Sequence, residues 1–83
     1  MAIPNSNLSK TDAQWIINEY PKWIGKRIDR ASIQEHLKLF NLIKGSKEGI
    51  PSCSCQWTGA SKISESLYEQ YKSEIEVIAN GEK

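Results

Sequence analysis

The stretch GSKEGIPSCSCQWTGAS, Gly45 to Ser61, decides the fold class, because it is either a strand or the joint between two helices. Cys53, Cys55 and Trp57 alternate with Ser54 and Gln56, which is the period of an extended strand. Three alternating residues are few, and no second segment of that kind offers itself for pairing. Gly49, Pro51, Gly59 and the Ser and Thr residues around them mark a loop instead. A loop of this length in a small domain is pinned by its own side chains or put to use. The expectation is an all-α fold: a small three-helix domain with a long cysteine-containing loop between helices 2 and 3.

The helix before the loop carries the clearest signals. Asp29 or Ser32 can cap it, Ser32 and Glu35 have capping-box spacing, and Ile33, Leu37, Phe40 and Ile43 fall at helical intervals. Gly45 just past Lys44 is a helix stop with a cation at the negative end of the dipole, which sets the helix at about 30–44. After the loop, a helix opening near Ser61, with Thr58 a rival cap, runs to about Ala79. Its apolar stripe is Ile63, Leu67, Tyr71, Ile75 and Ile78, and Lys62, Glu65, Glu69, Lys72, Glu76 and Glu82 are left for solvent. Towards the N-terminus, Thr11-Asp12 caps a helix carrying Trp15, Ile16, Ile17 and Tyr20, which Pro21 interrupts. Pro21 to Ile24 restarts as a short turn that Gly25 ends. Residues 1–9 are polar and without period, a flexible N-terminal arm, and 10–83 form a single helical domain.

The 83 residues are only just enough to bury a core unaided, which favours helical packing with three Trp and three Tyr supplying much of the burial. Net charge is +1, against wholesale polyanion binding, but the charge is uneven: residues 1–50 carry +3 and residues 51–83 carry −2. No leader pattern opens the chain, and no window approaches the roughly 20 apolar residues that span a bilayer. The expectation is a protein without membrane contact, cytoplasmic in its host cell or part of a virion, with both cysteines as free thiols in a reducing compartment.

The chemistry of Cys53 and Cys55 has three readings. With His36 they would offer a soft metal ion three ligands, one short of a closed structural zinc site, and their C-x-C spacing is not the C-x2–4-C of such sites. As a redox pair they would close a small ring, where the usual dithiol is C-x-x-C. The favoured reading is plainer: cysteine is among the most buried residue types, so both face the core and anchor the loop. No glycine-rich phosphate loop, paired carboxylates or Ser-His-Asp set is present, so no enzyme and no cofactor is expected.

Two surfaces could bind a macromolecule. Arg30, Gln34, Lys38 and Asn41 share the polar side of the second helix, and with Lys22, Lys26 and Arg27 they suit DNA or RNA. A solvated face is the ordinary explanation of such a pattern. The other surface is aromatic: Trp57, expected half exposed, with Trp23 and Tyr68 and whatever part of the third-helix stripe the core leaves unused, would anchor a protein partner or a second copy.

The run HLKLFNLIKGSKEGIPSCSC from His36, followed by a helix containing LYEQYKSEIE, resembles small proteins encoded by tailed phages and prophages, in which a close cysteine pair lies between two helices. The resemblance covers roughly residues 36–76, and only Ser54 separates the cysteines where those proteins have two residues. It implies a mobile-element origin and transfers no site residues. Small phage proteins without catalytic groups are commonly virion or packaging components or inhibitors of a host protein. Combined with the aromatic surface, this sets the functional expectation as a non-enzymatic protein-interaction module, with nucleic-acid binding and a thiol or metal module as alternatives.

Overall fold

The computed structural model describes residues 3–5 and 7–81, which form three α-helices and two 3-10 turns with no strand among them. Helix α1 spans Lys10–Asn18, a 3-10 turn Tyr20–Trp23, α2 Arg30–Lys44, a second turn Ser54–Gln56, and α3 Trp57–Ala79. The all-α architecture with the cysteines between α2 and α3 is therefore as expected, and the alternating Cys53–Trp57 run is a helical approach to α3 rather than a strand.

Local chemistry sets most of the helix ends. Ser9 caps α1 by accepting the Asp12 backbone N–H at 3.1 Å, so the cap lies just before the expected Thr11-Asp12 pair and Asp12 sits in the first turn. Pro21 cannot continue the ladder, and the chain tightens into the Tyr20–Trp23 turn before reversing at Gly25, whose φ of 81° suits a residue without Cβ. The Asp29 carboxylate accepts from Ser32 N–H at 2.9 Å to open α2, and Gly45, left-handed at φ 71°, closes it. Helix α3 starts at Trp57, ahead of the expected Ser61, without a side-chain cap. At its first residue the Trp57 indole N–H donates to the Pro51 carbonyl of the preceding loop at 3.0 Å.

The direction of the helices explains the long loop. Gln14 on α1 donates to the Ala79 carbonyl at 3.2 Å, while Tyr20 packs on Tyr68, so α1 runs antiparallel to α3. The Ser64 hydroxyl donates to the His36 carbonyl at 2.7 Å near the start of α3. The end of α2 is tied by Asn5, which bonds the Leu42 and Ile43 carbonyls at 2.7 and 3.0 Å, to the segment entering α1 beside the far end of α3. Helices α2 and α3 thus run parallel. A parallel pair cannot be joined by a tight turn, because the chain must travel back the length of α2, about 22 Å. Residues 45–56 make that crossing, passing alongside Gln34, Leu37 and Asn41.

Burial shows one core. Leu8, Ala13, Ile16, Tyr20, Leu39, Ile43, Leu67, Tyr71 and Ile75 belong to it, with the small Ser32 and Ser64 buried as well. Leu8 falls in the segment read as an arm, and its burial together with the Asn5 bonds ties that segment to the helices. Ile63, expected in the core stripe, is instead 55% exposed. Glu82, assigned to the wet side, lies outside the described residues.

Tyr20 is where the three helices meet. Its ring, fully buried, lies 6.2 Å from Trp15 of α1, 5.4 Å edge-on to His36 of α2 and 5.3 Å from Tyr68 of α3. Its hydroxyl is 2.9 Å from His36 Nδ1, while His36 Nε2 and Ser32 Oγ, one turn apart on α2, have no hydrogen-bond partner among the described residues. Burial first, then the charge of Glu65 and the neighbouring Tyr68, raise the Tyr20 phenol well above its ordinary value, so the hydroxyl keeps its proton. Burial lowers the His36 pKa, with Glu65 opposing in part, and the imidazole sits neutral in the core.

Two outcomes follow. Tyr20→Phe keeps the ring stack but strands His36 Nδ1, and should cost roughly 1–3 kcal/mol in a denaturant titration. Because the unfolded chain takes up the imidazole proton at about pH 6.5 and the folded chain only lower, stability conferred by neutral His36 is complete above that value. It is lost as pH falls below it towards the lowered folded pKa. The thermal midpoint should therefore drop as the pH falls below about 6.5, and this slope should be shallower in His36→Phe.

Candidate interaction surface

The crossing loop is held at both ends. Asn41 serves the near end with one amide group: its Oδ1 accepts from Glu48 N–H at 2.9 Å and the Ser46 hydroxyl at 3.1 Å, and its Nδ2 donates to the Glu48 carbonyl at 3.0 Å. Trp57 holds the far end through Pro51. The spacing puts Asn41 on a nucleic-acid face and the loop composition makes Trp57 a half-exposed anchor; the structure gives both of them work inside the fold. Trp57 is half-buried, as expected, at the first position of α3.

The cysteines are not in the core and not free. Cys53 and Cys55 are both exposed and joined to each other by a disulfide, which corrects the expectation of buried thiols. The 3-10 turn around them stands outside the packed layers, and no residue between Lys44 and Ser61 belongs to the buried set, so the loop contributes nothing for a cysteine to anchor. His36, the third member of the metal alternative, is fully buried beneath Tyr20. The trio is not assembled, and the described residues contain no group of three or more His, Cys, Asp or Glu placed to hold a metal.

The basic set is divided by internal contacts. Lys38 Nζ lies 4.2 Å over the Trp15 ring, and Lys22 Nζ meets Glu19 Oε1 at 3.3 Å. Lys26, Arg27, Arg30 and Gln34 are exposed, with Lys26 in a shallow hollow shared by Glu19, Lys22 and Trp23. The polar face legible along α2 is therefore broken where Lys38 folds onto an aromatic ring and Asn41 onto the loop.

Of the three aromatic anchors, Tyr68 is in the core at 5% exposure against Tyr20, with Lys72 Nζ above its ring at 5.8 Å, and presents no surface. Trp23 and Trp57 are half-buried. The exposed large apolar side chains among the described residues are Ile63 at 55% and Val77 at 48%. Both are on α3. Two heptads apart, they lie within about 40° of each other around the helix and about 21 Å along it, with Gln70 midway. Ile63 also borders a shallow apolar hollow formed with Leu37, Phe40, Pro51 and Ala60, where the returning loop leaves α2 and α3 partly uncovered. A signal for this face was present in the sequence: Val77 stands off the core stripe, in line with Gln70 and Ile63 at seven-residue steps.

No described helix is long and apolar enough to cross a membrane. Comparison with protein-family models, with curated proteins and with solved structures finds no match to this chain, so its functional reading rests on its own residues.

Asn41 gives a direct test of how the loop is held. Asn41→Ala removes three hydrogen bonds at once and should cost roughly 1–3 kcal/mol. Amide exchange should rise at Glu48 while amides of the α2 interior keep their protection relative to global unfolding.

Proposed function

We propose that the protein is a non-enzymatic interaction module whose contact surface is the outward face of α3. The observation that carries this reading is the pairing of Ile63 and Val77, the exposed large apolar side chains of the described residues, on one side of one helix. Single surface hydrophobes are ordinary; two on one line of a helix, one of them edging an apolar hollow, support reading this side as a contact face. The energetic centre moves from the half-buried Trp23 and Trp57 to the aliphatic pair. Covering both aliphatic side chains contributes roughly 2 kcal/mol, so the partner must also fill the hollow beside Ile63. The resemblance to phage-encoded proteins suits such a module to a virion or packaging component or to an inhibitor of a host protein, acting in the host cytoplasm or in the particle.

A photo-crosslinking residue at the exposed Ser66, between Ile63 and Gln70 on this face, tests the reading in cells that make the protein. Adducts to protein, lost when Ile63 and Val77 are both changed to Glu, are the expected result. Adducts that nuclease removes, or none, would overturn it.

A further inference from the structure

We infer that the occupant of this face is a second copy of the same chain, docked antiparallel across a two-fold axis that passes near Gln70. This rests on the reading of α3 as a contact surface, and its argument is self-complementarity. Ile63 and Val77 are equidistant from Gln70 along the helix, so an antiparallel copy centred there brings Val77 of each chain to Ile63 of the other. Each Val77 then has a place to go: the hollow of Leu37, Phe40, Pro51 and Ala60 beside Ile63. A face with an exposed knob at one end and an apolar hollow at the other is satisfied twice over by its own inverted copy.

The charges agree with the same register. In an antiparallel pair the same flank of each helix meets, and Lys62 and Glu76, both exposed and on one flank of the seam, come opposite each other in two symmetric copies. Between them the seam carries the small Ser66 and Ser73, which let the two backbones approach. Glu69 faces its own copy near the axis, a repulsion that holds the association to a modest strength. A parallel pairing would bring opposite flanks of the helix together, so that Lys62 and Glu76 would not meet, and would leave Val77 away from the hollow.

The test is sedimentation-equilibrium ultracentrifugation of the purified full chain, repeated with reductant. The expected result is a monomer–dimer equilibrium with a dissociation constant of about 10–100 μM, unchanged by reductant. Ile63→Glu with Val77→Glu should give a monomer with an unaltered circular-dichroism spectrum. Lys62→Glu and Glu76→Lys should each weaken the dimer about tenfold, and the two changes together in one chain should restore it. That restoration belongs to the antiparallel register alone, and it stands independently should the double-Glu variant fail to fold. A monomer persisting to about 500 μM, a dimer that reductant abolishes, or single charge reversals without effect would overturn the proposal. If the protein is monomeric while Ser66 still crosslinks to a different protein, the interaction face stands and only the second copy is rejected.

Discussion

One buried side chain joins everything else. Tyr20, in the turn that Pro21 forces after α1, touches Trp15, His36 and Tyr68, one residue from each helix, and its hydroxyl meets the imidazole of His36. A helix that simply continued through residue 20 would carry this ring elsewhere around its axis. The proline therefore does more than end a helix; it delivers an aromatic ring with a polar tip to the point where the layers converge. The tip matters because an unpaired imidazole nitrogen there would be costly, and His36 already has one nitrogen without a partner among the described residues.

From this junction the direction of the chain follows, and from the direction the surface. With α1 antiparallel to α3 and α2 parallel to it, the Gly45–Gln56 segment has to recross the molecule, and Asn41 and Trp57 hold it at its ends. The crossing loop covers one side of α2 and leaves a hollow at Ile63 where it departs. The two cysteines ride outside this crossing, joined to each other and apart from His36, so the least ordinary residues of the chain lie away from the junction that organises it.

Much of the architecture was legible because its signals are local. Asp29, Gly45 and Lys44 bound α2 at Arg30–Lys44 as expected, and Pro21 and Gly25 mark the turn between α1 and α2. The start of α3 was not legible, since no side-chain cap announces it; the bond made at its first residue runs from the Trp57 indole to the Pro51 carbonyl within the loop. The surface was read less well than the fold. Lys38 and Asn41 have the spacing of a recognition face, yet both are turned to internal partners, one to Trp15 and one to the loop. Tyr68 has the amphipathic ring of an interface anchor, but it stacks on Tyr20.

Alone, the sequence determined the class, the number of helices, the bounds of α2, and the place of the cysteines between α2 and α3. These depend on backbone dihedrals and on hydrogen bonds a few residues long, which proline, glycine and capping side chains specify where they stand. Only the tertiary structure decided that α2 and α3 are parallel, that Ile63 lies outside while Leu8 lies inside, and which polar side chains are already engaged. Those outcomes depend on contacts between residues far apart in the chain, such as Ser64 with His36 and Asn5 with Leu42, and a pattern of local periods carries no record of them.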